Sequence, residues 1–362
     1  MIRYVPRTLA TLGLSLGLLL GACGDSDDKT TDASADATTA DVRDSSVSDP
    51  DTSMNDDGAV HTPDATTPDA SDMIPNGAEP LFVGVGYGMR RSYSLDGETW
   101  MDGEFAQPQG DDENLLRGVG FDHGRFMAVG NRVQYSDDGE TWTDGSYTEN
   151  SFLSDVVYLN GVWVAAGGNG ARASSSDDGE TFVSRGSYIE GHFRGIAAGN
   201  GVAIAVGHGY GSLADQGLYA VTSDGITWSP EVTGGPRLAR IAFANGMFVA
   251  VGREGRCMRS TNGTSWSDCT VVAEDLASVR VVAGAFLVRT EAGVNYRSTD
   301  GVSFAEVQGE NVPDLLTYGN GTYVGSNWTR LFRSSALSGP YDQVYNMDPG
   351  FGDIVFGYRE RP

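Results

Sequence analysis

Six residues of this chain have the types and spacing to handle a charged ligand: Arg117, Asp155, Arg194, Arg240, Asp314 and Asp353. Each lies in or beside one of a series of similar apolar segments. These read LLRGVGFDHG from Leu115, LSDVVYLNG from Leu153, FRGIAAGNG from Phe193, LARIAFANG from Leu238, LASVRVVAG from Leu276, LLTYGNG from Leu315 and FGDIVFG from Phe351. Aligned on their turn glycine, the segments put Arg117, Ser154, Arg194, Ala239, Ala277 and Asp314 in one column. The next column holds Gly118, Asp155, Gly195, Arg240, Ser278, Leu315 and Asp353. If the fold brings equivalent positions to a common mouth, guanidinium groups and carboxylates meet there. A guanidinium offers paired donors to a carboxylate, and two carboxylates at the right separation run glycoside hydrolysis. Solvated rim charge with no chemistry is the plainer alternative.

Other candidates carry less. His123, His192 and His208 lack metal-ligand spacing, so neither a metal nor a cofactor is expected. The runs GYG at Gly86 to Gly88 and GHGYG at Gly207 to Gly211 read as turns, because no helix follows to make a phosphate site. The longer loop Gly207 to Gly217 and Trp328 are candidates for extra contacts to a sugar or a peptide.

The elements that position these residues follow from a second repeat. SLDGETW (Ser94 to Trp100), SDDGETW (Ser136 to Trp142), SDDGETF (Ser176 to Phe182), TSDGITW (Thr222 to Trp228), STNGTSW (Ser260 to Trp266) and STDGVSF (Ser298 to Phe304) recur at a period of about 40 residues. A degenerate seventh copy around Arg333 to Tyr341 keeps Gly339 and an aromatic. Asp-Gly between strand-like runs marks a tight hairpin, since glycine accepts the positive φ the turn needs. Asp96, Asp138, Asp178, Asp224, Asn262 and Asp300 are therefore read as structural turn residues whose side chains bond nearby amides. Upstream lie short apolar runs such as FMAVG (Phe126 to Gly130) and MFVAVG (Met247 to Gly252), which suit strands buried on both faces.

The repeating unit is strand a, turn, strand b, loop, strand c, hairpin, strand d. That is one four-stranded propeller blade. The first b strand, LFVGVG from Leu81, lacks a strand a before it, and FGDIVFG at Phe351 to Gly357 is a strand a with nothing after it. The expected fold is all-β: a single seven-bladed β-propeller over residues 79–362, its C-terminal strand completing the first blade and removing two exposed edges. Cys257 and Cys269 sit six residues either side of Gly263 in the fifth hairpin, so a disulfide is expected. A bridge over so short a loop contributes on the order of 3 kcal/mol.

These hairpins resemble the Asp-box (BNR) repeats of sialidases and related propellers, over nearly all of the C-terminal part of the chain. The resemblance implies a structural hairpin between strands c and d, on the face away from the ligand site. Sialidases hold a substrate carboxylate with three Arg and pair a Tyr nucleophile with a Glu. Here the Arg-Ile-Pro motif is absent, the blade count is seven instead of six, and no Tyr–Glu pair follows from spacing. Xyloglucanases bind substrate between two such propellers, and this chain has one. The blade count also resembles, in architecture only, a photosystem II assembly factor, a single propeller that binds a protein partner. The expectation is a module that binds a protein or glycan ligand without chemistry, the alternative being a sialidase-like glycoside hydrolase at the channel mouth.

The chain opens with Arg3 and Arg7, an apolar stretch from Leu9 to Leu20, and LGAC ending at Cys23. This reads as a lipoprotein signal peptide over residues 1–22, with lipidation at Cys23. Gly24 at the next position favours the outer membrane, periplasmic or surface-exposed. Residues 23–78 are rich in Asp, Ser, Thr, Ala and Pro and are expected to be a disordered acidic tether, spanning roughly 40 Å as a coil. A formal charge of −25 disfavours nucleic acid and leaves membrane attachment to the lipid alone. A monomer is expected.

Overall fold

The computed structural model describes residues 74–103, 114–186, 188–309, 311–346 and 350–361. The expected signal peptide, Cys23 and nearly all of the acidic tether lie outside them. The described chain forms seven four-stranded antiparallel sheets. Six are simple meanders in chain order, numbered here as blades 2 to 7, with inner strands Leu116–Asp122, Leu153–Leu159, Gly191–Gly199, Leu238–Ala244, Leu276–Val282 and Leu315–Gly319. In blade 1 the last strand, Phe351–Glu360, pairs with the first, Ala78–Gly86, in a register that includes Leu81 opposite Gly357 and Val83 opposite Val355. The ring is thus closed by the two ends of the folded chain, as the unmatched strands require.

The b strands are the apolar runs of the sequence and are mostly buried; in Arg125–Gly130, Val162–Gly167 and Met247–Gly252 all but the first residue is buried. Phe82, Phe126, Trp163, Phe248 and Phe286 share one register position on these strands and are almost completely inaccessible. Each faces a hairpin serine across the sheet: Ser94, Ser136, Ser175, Ser260 and Ser298 respectively. Full burial of one such ring stabilises the fold by roughly 2–3 kcal/mol, so each of these five blades contributes its own piece of core.

The hairpins are held by one bond pattern. In blade 1 the Ser94 hydroxyl donates to Asp96 Oδ1 at 3.0 Å and accepts from the Gly97 amide at 2.9 Å. Asp96 Oδ1 also accepts from the amides of Glu98 (2.8 Å) and Thr99 (2.7 Å). Asp138, Asp224, Asn262 and Asp300 repeat it. Blade 3 departs from the expected alignment. Its anchor is Ser175, paired with Trp163, and the carboxylate that accepts from Thr181 at 2.9 Å is that of Asp177. One residue is inserted, so Asp178 takes a left-handed backbone (φ 61°) and turns its carboxylate toward blade 2. There it meets His123 Nε2 at 2.8 Å, and it accepts from Trp163 Nε1 at 3.2 Å. The blade-5 hairpin carries the Cys257–Cys269 disulfide across strands c and d.

Neighbouring blades are latched at their a–b turns. Asn200 Nδ2 donates to the carbonyls of Gly246 and Thr261 in the next blade, both at 2.9 Å. Asn245 does the same to Gly284 (3.1 Å) and Thr299 (2.8 Å). Both residues sit at positive φ (48° and 51°), which asparagine tolerates better than most. Ala283 occupies the same turn position at φ 47° with no group to donate.

Candidate functional site

At the end of the ring opposite the Ser-x-Asp-Gly hairpins, the inner strands share a distortion. Pairing of strand a with strand b slips by one residue at Arg117, Ser154, Arg194, Ala239 and Ala277 in blades 2 to 6, and at Gly352 in blade 1. These are β-bulges, which re-aim side chains at rims and beside binding sites. The facing residue of strand b is glycine in five of these blades and Thr290 in blade 6. At Gly130 a Cβ would lie 2.0 Å from the Leu115 carbonyl, and at Gly252 it would lie 1.8 Å from that of Arg237. In those five blades the glycine that ends the apolar run leaves the backbone before the bulge room to approach, and in blade 6 Thr290 takes its place.

The first aligned column is thus the bulge residue itself, and the second column follows it into the channel. Arg117, Ser154, Asp155, Arg240, Arg280, Gly352 and Asp353, from five blades, line a channel cavity of about 140 Å³. Asp155 Oδ2 accepts from the Ile196 amide of the next inner strand at 3.2 Å, and Oδ1 from its own strand's Val156 at 2.9 Å. Asp353 repeats the cross-blade bond to Val119 at 3.2 Å and pairs with Arg280 at 2.9 Å. Burial, with the charge of Asp353 added, pushes the Asp155 carboxyl up to about 6, although Arg240 and the two amides pull the other way. Burial likewise lowers the Arg240 guanidinium, against the opposing charge of Asp155. Arg240 donates to the Arg194 carbonyl at 2.5 Å.

Asp314 stands apart from the other five. Blade 7 has no bulge, its pairing running unbroken from Leu315 opposite Ser326. The Asp314 carboxylate still lines the cleft that Arg194 and Arg240 border, 2.6 Å from Arg289 Nη2.

Several mouth residues were not singled out from the sequence. Arg280 lies two positions beyond Ser278, so strand alternation points it to the same side. Arg237 and Arg253 meet because the first residue of each b–c turn donates its amide to the residue before strand a, as in Arg253 to Arg237 and Tyr87 to Gly350. With Arg194, Arg240, Arg280 and His208, they border a cleft of about 310 Å³ over blades 4 to 6. His208 faces His192 across strands a and b, since GHG continues strand b through Gly209 instead of turning. Burial lowers the His208 pKa to about 4, helped by the charges of Arg194 and Arg237. His192 is lowered by burial and by Arg194 and Arg117.

A second pocket, of about 170 Å³, joins the cleft at Arg194 and Arg240 and is lined by Tyr87, Phe152 and Trp328. The Arg117 guanidinium covers the Phe152 ring at 4.2 Å. Trp328 stands edge-on to Tyr87 at 5.1 Å.

Another cavity, of about 760 Å³, is on the hairpin face beside His123, Asp137, Asp138 and Asp178, where Pro75 to Ala78 enter the fold. Its charges already serve the scaffold. Arg125 pairs with Asp137 at 2.6 Å and with Asp178 at 3.1 Å, and Asp138 holds its hairpin amides. Among the described residues no group of three His, Cys, Asp or Glu is placed to hold a metal ion.

No family model and no curated protein matches this chain. Solved structures do. The structure of YCF48 bound to D1 peptide has 15% identity and a TM-score of 0.51, covering 80% of this chain and 94% of the other. YCF48 from Cyanidioschyzon merolae has 13% identity and a TM-score of 0.50, covering 67% and 95%. The WD40 propeller domain of Doa1 has 14% identity and a TM-score of 0.50, covering 68% and 93%. The likeness is one of fold. At these identities it establishes the seven-bladed β-propeller and nothing about ligands.

Proposed function

We propose that this chain is a lipid-anchored protein of the bacterial cell envelope whose propeller binds a protein partner at the bulged mouth and performs no chemistry there. One observation carries the reading. In a chain of net charge −25, Arg194, Arg237, Arg240, Arg253 and Arg280 gather at a single mouth. Of the neighbouring carboxylates, Asp155 and Asp353 in the channel are committed to backbone amides and to Arg280, and Asp314 at the mouth pairs with Arg289. Arginine and aromatic side chains are enriched at protein-recognition surfaces and among the residues that dominate their binding energy. A propeller of the same fold, YCF48, has been solved with a D1 peptide bound.

An anchor at Cys23 suits this arrangement. Pro75 to Ala78 join the propeller on the hairpin face, so the chain enters the fold at the end away from the Arg-bearing mouth. The Gly24 that follows favours the outer membrane as the address.

The test is site-specific photo-crosslinking of the full chain in its native envelope. A photoreactive residue at Ser154, on the mouth, is expected to capture a discrete protein, and one at Asp137, on the hairpin face, is not. Equal labelling from both positions, or none from Ser154, would refute the assignment. The glycoside hydrolase reading draws on one feature, the raised pKa of Asp155. Turnover of a fluorogenic sialoside that is abolished by Asp155→Asn would favour it over binding alone.

A further inference from the structure

Resting on the protein-binding reading above, we infer that the mouth recognises a peptide segment of a particular kind, a run of acidic residues next to one large aromatic side chain. The acidic run lies in the cleft of blades 4 to 6 against Arg194, Arg237 and Arg253. The aromatic ring enters the adjoining pocket of Tyr87, Phe152 and Trp328.

Arg194, Arg237 and Arg253 are weakly neutralised; the carboxylates that also line the cleft, Glu291 and Asp314, belong to blades 6 and 7, and Asp314 pairs with Arg289. Among the described residues no carboxylate acts on Arg194, whose pKa is lowered by burial and by the charge of Arg237. Arg237 and Arg253 share one carboxylate, Asp215, at 2.7 and 4.0 Å, and Asp215 is 71% exposed. Arg253 reaches Asp275 only at 4.0 Å. Exposed pairs of this kind contribute little and exchange readily for a ligand carboxylate. The His208 pKa is depressed first by burial and then by the charges of Arg194, Arg237 and Arg253, which oppose another proton there.

The layout favours a chain of carboxylates over a compact anion. Arg194 belongs to blade 4, Arg237 and Arg253 to the start and the b–c turn of blade 5, and Arg280 to blade 6. Charges distributed over three blades match charges distributed along a ligand. A phosphate or sulfate ion answers only one or two of them and leaves the aromatic pocket unused.

The pocket has its own signature. Trp328 is 58% exposed and holds a left-handed backbone at φ 59°, a conformation that bulky residues rarely adopt. Strain of this sort clusters at ligand-contacting positions, where the surrounding structure maintains it. Phe152 is fixed from one side by Arg117 and lies beside His192, their ring centres 5.8 Å apart. Arg194 and Arg240 border both spaces, so a ligand can occupy cleft and pocket without a break.

The experiment is fluorescence anisotropy on the full chain with a fluorescein-labelled peptide of six alternating Asp and Glu residues ending in a Phe amide. Saturable binding is expected, weakened about tenfold or more by Arg194→Ala and by Trp328→Ala, the scale of losing one good contact. Binding should also fall steeply with added salt, as expected for rim charges. Replacing the terminal Phe of the peptide by Ala should reproduce the Trp328→Ala loss on the wild-type chain and add little to it on the variant. Both substitutions are at solvent-facing side chains, and unchanged melting curves show that the fold is intact. On binding, the NMR-monitored titration midpoint of His208 should rise. The inference is overturned if the peptide fails to bind, if either substitution leaves its affinity unchanged, or if a sulfated polysaccharide binds at Arg194 where the peptide does not. If Ser154 still captures a protein while the peptide fails, only the acidic-aromatic specificity is lost; failure of both removes the protein-binding reading as well.

Discussion

Phe356→Ala addresses the seam where the two ends of the folded chain meet. Phe356 lies on the C-terminal inner strand, is 6% exposed, and packs its ring 4.9 Å from that of Phe82 on the first strand. It also fills the space over Gly319 of blade 7, where even a Cβ would come within 2.1 Å of the ring. One side chain therefore joins blade 1 internally and joins it to blade 7. Truncating a buried Phe costs about 3–5 kcal/mol when the surroundings cannot collapse into the gap. Against a total stability of about 5–15 kcal/mol that is a large fraction. In a domain of this size it lowers Tm by roughly 6–15 °C. Differential scanning calorimetry and urea unfolding followed by tryptophan fluorescence should show one transition, moved down as a whole, because an opened ring exposes edges on both sides. A loss below about 1 kcal/mol would refute the reasoning. So would a separate early transition of blade 1 with the remainder melting as before.

Two further predictions concern the latch and the channel. Ala283→Asn should stabilise the protein by about 1 kcal/mol, because Asn tolerates the positive φ there and can donate to the carbonyls of blade 7 as Asn245 does to blade 6; an unchanged or lower Tm contradicts the latch. Asp155 should make stability fall as pH rises. The unfolded carboxyl loses its proton near its ordinary 3.8 and the folded one near 6, so the folded state holds more protons in that window. The contribution, on the order of 2 kcal/mol, is present below pH 4 and gone above pH 6. Urea unfolding at a series of pH values should give a wild-type minus Asp155→Asn difference that declines across that window, and a flat difference rules the shift out.

The blade pattern was legible because each repeat states it three times: an Asp-Gly hairpin, an apolar b strand and a turn glycine. The ring closure was legible because LFVGVG lacked a partner at one end and FGDIVFG at the other. Alignment on the a–b turn glycine also put five bulge residues, Arg117, Ser154, Arg194, Ala239 and Ala277, in one column, since strand a has the same length from bulge to turn in those blades. The third hairpin was misaligned because Ser174, Ser175 and Ser176 offer three anchors, and only pairing with Trp163 selects Ser175. Asp314 was placed in the bulge column because LLTYGNG aligns without a gap, although blade 7 lacks the extra residue. Arg237 and Arg253 come together through backbone bonds between the residue before strand a and the b–c turn, a contact between segments sixteen residues apart that no local pattern announces. Arg280 was the recoverable omission, because counting by two from Ser278 reaches it.

Hydrogen–deuterium exchange of the full chain, alone and with the protein captured at Ser154, tests the central claim most directly. Protection should concentrate in the segments that carry the bulges, at 115–118, 152–155, 192–195 and 237–240, and in the b–c turns at 87–90 and 253–256. The hairpins at 94–100, 136–142 and 222–228 should exchange as they do in the free protein. Protection at the hairpins with none at the bulges would place the partner on the other face and contradict the account.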